Sequence, residues 1–304
     1  MAALTYRGVS KQFEGRVALS KVEVSVEAGE IFGFIGPDGA GKTTLIRMAM
    51  GIVDPDEGTC LLLGSEDRRR ARVHAGYVSQ IFSLYTAMTV MENISLFGAL
   101  YGASKKEVRR AGESALRRTG LWPFRDRLAG NLSGGMKQKL ALAIGLLHTP
   151  TILFLDEPTT GVDPVARREF WSMLYDLNKS GMTIVVSTPY MDEAELCTRK
   201  LFISRGKVLD LGTSHELLSR YPHRVLQVGL RDRRAKEWLS TLPGVVDANL
   251  FGAQYHLVVD DVRFAGTALE REFSARGYGE LPVKEIPPTL EDLFVFLSAT
   301  GERV

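Results

Sequence analysis

The sequence predicts an α/β protein built on a parallel sheet, and three observations carry that prediction. Glu30-Ile31-Phe32-Gly33-Phe34-Ile35, Thr151-Ile152-Leu153-Phe154-Leu155 and the run from Thr183 to Val186 are short and almost wholly apolar, the pattern of strands buried on both faces. The first two are followed by helix starts, one leading into Leu45 to Met50 and one at Asp163-Pro164, an N-cap with proline at the first helical position. A glycine-rich segment, Gly36-Pro37-Asp38-Gly39-Ala40-Gly41-Lys42-Thr43-Thr44, joins the first strand to its helix. Strands alternating with helices in this way build parallel sheets.

That segment fits the pattern G-x-x-x-x-G-K-[ST] in its required strand-to-helix setting. Glycines at 36, 39 and 41 let the backbone turn with N–H groups inward, and the helix beginning near Lys42 adds the positive end of its dipole. Lys42 offers a charge for β- and γ-phosphates, and the Thr43 hydroxyl offers a Mg²⁺ ligand. The 151–155 strand ends in Asp156-Glu157-Pro158, which places two carboxylates at the sheet edge where open α/β folds bind ligands. Asp156 is then placed to hold Mg²⁺, and Glu157 to polarise an attacking water.

Leu132-Ser133-Gly134-Gly135-Met136-Lys137-Gln138-Lys139-Leu140 again sets Ser and Gly at a helix start, a second anion cradle in one chain. One nucleotide needs one cradle, so the second implies another nucleotide. The arrangement resembles the ATP-binding cassette (ABC) ATPases, in which two cassettes meet head to tail and the Leu-Ser-Gly-Gly segment of one covers the γ-phosphate held by the other.

The resemblance extends over about the first 215 residues. It implies that Phe13 stacks on adenine, that Gln80 touches Mg²⁺ and senses the transporter, and that Gly161-Val162-Asp163-Pro164 crosses to the partner cassette. The nucleotide contacts it implies are Phe13, Gly36, Pro37, Asp38, Gly39, Ala40, Gly41, Lys42, Thr43, Thr44, Gln80 and Asp156, with Ser133, Gly134 and Gly135 serving the partner's nucleotide. Thr43, Gln80 and Asp156 are the implied Mg²⁺ ligands, and Glu157, Gln80 and Lys42 the catalytic set. Gln80-Ile81-Phe82-Ser83-Leu84-Tyr85 and Ser187-Thr188-Pro189-Tyr190-Met191-Asp192-Glu193-Ala194 are most similar to the ATPase subunits of bacterial drug exporters, particularly those with two cassettes in tandem. Two positions depart from the family. Met136 stands where Gln is common, and Pro189 stands where the family has a switch histidine against the γ-phosphate. Proline has neither a side-chain donor nor an N–H, so nothing at 189 replaces the imidazole. His148 and His215 are expected to be surface or packing residues.

Composition narrows the classes further. The chain has 304 residues, 45% hydrophobic, with formal net charge +2, so no basic excess suggests nucleic acid. The one basic run, Arg68-Arg69-Arg70-Ala71-Arg72, reads as a solvated loop. Two cysteines far apart, Cys60 and Cys197, imply no disulfide framework and fit a reducing compartment. No stretch reaches the roughly 18 apolar residues that span a bilayer, and the N-terminus lacks a signal-peptide pattern.

The expected division is a nucleotide-binding domain over 1–221, with a helical subdomain at about 85–147 that carries the signature, and an accessory domain over 222–304. In the latter, strands at 225–230, 245–251, 254–259 and 283–286 and helices at 234–242 and 265–275 give a βαββαβ order, a small ferredoxin-like α+β module. Pro287-Pro288-Thr289-Leu290-Glu291-Asp292-Leu293-Phe294 resembles the closing segment of exporter ATPases. The resemblance implies an ATPase that uses ATP and Mg²⁺, pairs with a second cassette as a homodimer or tandem half, and powers export through separate transmembrane permease subunits from the cytoplasmic face of the membrane. Two alternatives stay open. One is a catalytically degenerate, regulatory half; the other is a soluble cassette acting on ribosomes or DNA, which near-neutral charge disfavours.

Overall fold

The structure, a computed structural model, describes residues 2–80, 84–232 and 234–300. Residues 81–83 of the exporter-like segment therefore lie outside the described residues. The elements run β1 (Ala2–Phe13), β2 (Arg16–Glu27), β3 (Ile31–Ile35), α1 (Lys42–Ala49), β4 (Glu57–Leu62), α2 (Arg68–Ala71), β5 (Ala75–Val78), α3 (Val90–Leu100), α4 (Lys105–Arg118), α5 (Gly134–Gly145), β6 (Ile152–Asp156), α6 (Pro164–Lys179), β7 (Thr183–Thr188), α7 (Met191–Glu195), β8 (Arg199–Ser204) and β9 (Lys207–Gly212). There follow α8 (Ser214–Ser219), β10 (Arg224–Val228), α9 (Ala235–Leu239), β11 (Val245–Phe251), β12 (Gln254–Val259), α10 (Val262–Ala275), β13 (Val283–Ile286) and α11 (Leu290–Thr300).

The central sheet has the order β5-β6-β7-β3-β8-β9, and its first five strands pair in parallel. Its strands are buried on both faces, with alternate residues going to opposite sides. Phe32, Phe34, Phe154 and Val185 pack with the antiparallel β2-β1-β4 sheet, whereas Ile31, Leu153, Leu155, Ile184 and Val186 pack under Phe170, Trp171, Leu174 and Leu177 of α6. This period-two division of an apolar run is why the sequence shows no amphipathic alternation there. Helices α3, α4 and α5 enclose a separate apolar cluster around Ile94, Leu116 and Leu140.

The sheet order decides where chemistry can occur. β6, β7 and β3 are neighbours, so the segments leaving their carboxyl ends converge on one edge: Asp156-Glu157 from β6, Thr188-Pro189 from β7 and the 36–44 loop from β3. That is where open parallel sheets place ligands.

The chain divides into two compact units between Leu211 and Gly212, ten residues before the boundary expected from the change in sequence character after Tyr221. The difference arises because α8 precedes that change in the chain, yet belongs by its contacts with α11 to the second unit. In that unit a four-stranded antiparallel sheet has the order β11-β12-β10-β13, with α9 and α10 as crossovers. His256 on β12 is 2.9 Å from Asp292 Oδ1 through Nδ1, and Thr289 donates to Asp292 Oδ2 from its amide (2.8 Å) and its hydroxyl (2.7 Å). The start of α11 is thus tied to the sheet. Burial raises the Asp292 pKa, but the hydrogen bonds from His256 and Thr289 outweigh it and hold the carboxyl below its usual value.

A carboxyl depressed in the folded state stabilises above its unfolded pKa, about 3.9, and that contribution is lost as pH falls through the folded value. Asp292→Ala should therefore lower the stability of the second unit by about 1–3 kcal/mol at neutral pH and flatten its acid unfolding below about pH 4. Hydrogen exchange of the α11 amides against pH measures both effects.

Candidate functional site

The 36–44 loop is shaped by close approach. A methyl group at Gly36 would run into the carbonyl oxygen of Ile203, so only glycine fits there. Gly39 and Gly41 adopt φ of 75° and 109°, the left-handed region that glycine tolerates. The loop is braced from below by Gly206 N donating to Ala40 O (3.0 Å) and from the side by Gly36 N donating to Thr188 O (3.3 Å).

Gly41 is the N-cap of α1 and can supply no side-chain oxygen, so the amides of the first turn are uncapped. By contrast α3, α4, α5, α6 and α10 are capped by Thr89, Ser104, Ser133, Asp163 and Asp261. An uncapped, inward-turned helix start is an anion site.

Lys42 is 3% exposed. Its ammonium donates to the carbonyls of Gly36 (2.8 Å) and Pro37 (3.0 Å) and stands 3.0 Å from Glu157 Oε1. Gln80 Nε2 donates to the other Glu157 oxygen at 2.9 Å. Thr43 donates to Asp156 Oδ1 at 3.1 Å. The predicted residues Lys42, Thr43, Gln80, Asp156 and Glu157, drawn from a span of more than a hundred positions, form one connected polar cluster. Among the described residues no group of three or more His, Cys, Asp and Glu side chains could hold a metal. The oxygens of Thr43 and Asp156 instead suit a hard cation that takes one or two protein ligands and completes its shell with phosphate and water, the usual Mg²⁺ arrangement.

Sequence reasoning missed the residue that organises the carboxylates. Ser187, fully buried at the end of β7, donates to Asp156 Oδ1 (2.6 Å) and accepts from Glu157 N (3.0 Å). Its position opposite Asp156 in the β6–β7 register is invisible in the sequence. Glu157 has φ of 48°, a conformation that costs a non-glycine residue roughly 1–2 kcal/mol. Tyr77 also reaches Asp156 Oδ2, at 3.4 Å. A second latch was equally unforeseen. Thr159 donates to buried Glu193, which pairs with Arg167 at 3.5 Å, and the same guanidinium lies 4.7 Å above the Tyr190 ring. It fastens the loop after β6 to the segment that follows Pro189.

Other predicted residues stand apart from this cluster. Phe13 is 46% exposed at the end of β1. Ser133 and Gly134 are exposed at the start of α5, where Ser133 Oγ accepts from Met136 N at 3.3 Å. Among the described residues no hydrogen bond joins 133–135 to the 36–44 loop. His148 Nε2 is 3.1 Å from Ala75 O, at the opposite edge of the sheet, and burial pushes its pKa down. His215 is exposed on α8, in the second unit.

The family described as ABC transporter matches residues 19–160. The chain is 36% identical over 308 residues to the Nod factor export ATP-binding protein I of Rhizobium sp. (strain N33), covering 99% of this chain and 98% of that protein. It is 37% identical over 310 residues to the probable multidrug ABC transporter ATP-binding protein YbhF of Escherichia coli (strain K12), covering 97% of this chain and 52% of that protein. The chain thus spans about half the length of that relative. The solved structure of cbiO1 from Clostridium perfringens, part of the ABC transporter complex cbiONQ, matches with a TM-score of 0.67 at 27% identity, over 72% of this chain and 91% of that one. A bacterial ABC transporter cassette solved as a dimer matches with a TM-score of 0.63 at 26% identity, over 69% and 98%. The chain belongs to the ABC transporter family, as an ATP-binding cassette.

Lys42 is paired with Glu157, so a phosphate bound at Lys42 would compete with that carboxylate. Glu157→Gln removes the competing charge and should tighten binding of a non-hydrolysable ATP analogue by about three- to tenfold, about 0.7–1.4 kcal/mol, less than the roughly 1.5–3 kcal/mol of a full charge-assisted hydrogen bond because the amide can still accept from Lys42. Titration calorimetry measures this; unchanged affinity would mean that the ion pair survives binding.

Proposed function

We propose that this chain binds ATP·Mg²⁺ at the 36–44 loop and hydrolyses it to power export of a drug or other small amphiphile through separate transmembrane subunits. The carrying observation is the junction of Lys42, Thr43, Asp156, Glu157 and Gln80 at an uncapped helix start. Loop amides and Lys42 would hold the β- and γ-phosphates, and Phe13 would lie against adenine. Thr43, Gln80 and Asp156 would hold Mg²⁺, which supplies charge neutralisation between the phosphates. Glu157 is suited to orient water for in-line attack, its backbone fixed by Ser187 so that no reorganisation is needed during reaction.

Ser133, Gly134 and Gly135 would complete the site of a second cassette, and the dimeric relative supports such pairing. The names of the two sequence relatives, one for multidrug and one for Nod factor transport, support export. Among the described residues no helix is long and apolar enough to cross a membrane, which agrees with a separate permease. Work at the cytoplasmic face of a membrane follows from that role. Lys42→Ala should weaken ATP·Mg²⁺ binding by about 1.5–3 kcal/mol, the worth of a charge-assisted phosphate contact. Equal affinity in calorimetry would move the site elsewhere, and purification in mild detergent identifies the membrane subunits.

Pro189 favours a second reading, a slow site whose partner cassette turns over faster. It follows directly after Thr188, whose carbonyl accepts from Gly36 N beside the phosphate loop, and it has no donor to offer. Loss of one preorganised transition-state donor typically costs about 100- to 1000-fold in rate. Pro189→His should raise turnover with little change in ATP affinity. Steady-state hydrolysis with the partner's catalytic carboxylate disabled decides: brisk turnover by the parent chain rules out the slow-site reading.

A further inference from the structure

Helix α4 carries six basic and two acidic residues in fourteen, on a chain whose whole formal charge is only +2. Val108, Gly112, Ala115 and Leu116 turn inward against the helical cluster. The first two turns also present Lys105, Lys106, Arg109 and Arg110, all exposed, beside that buried stripe. None of these four has an ion-pair partner among the described residues, because Glu113, the nearby acid, is held by Arg117 at 2.8 Å and Glu107 is turned back to cap the helix at Ser104. Lys105 with Arg109 and Lys106 with Arg110 are like-charge pairs at i,i+4, which destabilise a helix. The face is repulsive within the chain and complementary to negative charge outside it.

A second observation lies at the same end. Leu100, the last residue of α3, is 70% exposed, the most exposed large apolar side chain among the described residues, and Tyr101 beside it is 48% exposed. Ala99, Ala103, Lys105 and Arg109 line one cavity of about 570 Å³, and Leu100 and Tyr101 lie at the α3 end of the short connection to α4 that borders it. Arg109 and Arg110 continue it into a shallow depression of about 500 Å³ along α4. An exposed leucine and half-exposed tyrosine followed directly by four unpaired cations are the composition of a segment that sits in a lipid headgroup layer. A solvated face for solubility would not need the Leu-Tyr tip, and a nucleic-acid groove would not need it either.

We propose that the α3–α4 end of the helical region contacts an anionic bilayer surface, with Leu100 and Tyr101 entering the headgroup layer and Lys105, Lys106, Arg109 and Arg110 meeting lipid phosphates. This deepens the reading of the chain as a membrane-transport ATPase, and would hold the cassette at the membrane independently of its permease. None of the six residues belongs to the nucleotide cluster.

Flotation of the full chain with phosphatidylcholine vesicles, with and without phosphatidylglycerol, tests it. The parent should float with the anionic vesicles only, and less at high salt. In a K105Q/K106Q/R109Q/R110Q variant each lost cation should weaken partitioning by about fivefold, with ATP binding intact as the check on folding. Leu100→Ser with Tyr101→Ser should weaken partitioning while leaving its salt dependence unchanged. Failure of the parent to float, equal flotation of the charge variant, or duplex DNA displacing the parent from vesicles while the Leu100/Tyr101 variant floats normally would overturn the proposal. Capture of the membrane subunits in detergent, where no bilayer is present, separates the two readings. If the charge variant captures them normally, the lipid contact is distinct from permease docking; if it loses them there, the face is a protein contact and the proposal falls. Loss of capture by the parent chain would count against the exporter reading alone.

Discussion

The carboxyl ends of β6 and β7 are tied by one hydroxyl, Ser187, which donates to Asp156 and accepts from the amide of Glu157. Strand β3 lies on the other side of β7, in register from Ile31 with Ile184 to Ile35 with Thr188, so the phosphate loop emerges level with the two carboxylates. The alignment turns three separate apolar runs into a single site. A slip in the β6–β7 register would part Asp156 from Ser187, leaving Glu157 without the contacts that hold its left-handed backbone.

The electrostatics follow from that alignment. Lys42 is buried, and a buried ammonium persists only when it is partnered. It finds two loop carbonyls and Glu157, so its charge is met within the chain. Gln80 donates to Glu157 from the segment that precedes the helical region.

The peripheral modules reach their stability differently. The second unit has its own apolar core around Leu226, Leu257 and Phe273, and fastens its last helix through the buried His256–Asp292 pair, to which exposed Thr289 also donates. Removing either buried partner would strand the other away from water, so the pair specifies a single docking of α11 more than it adds net stability. The cysteines stay outside the chemistry: Cys60 and Cys197 are buried and free, and burial pushes both thiols up to about 12.

Local chemistry was legible in the residues alone. Only glycine can turn the 36–44 loop, only an apolar run survives burial on both faces, and Asp163-Pro164 is a helix start in any context, as its hydrogen bonds to Val165 N and Ala166 N show. The order of the C-terminal elements was likewise readable from its strand and helix signals, although the helix expected over 234–242 closes down to Ala235–Leu239. What the sequence could not contain was distance across the sheet. Ser187, Tyr77 and the Thr159–Glu193–Arg167 latch are ordinary residues until strand order and register set them against Asp156 and the loop beyond Pro189. The unit boundary, too, was set by which helices pack together rather than by where composition changes, because contact is a property of the folded chain and not of neighbouring positions along it.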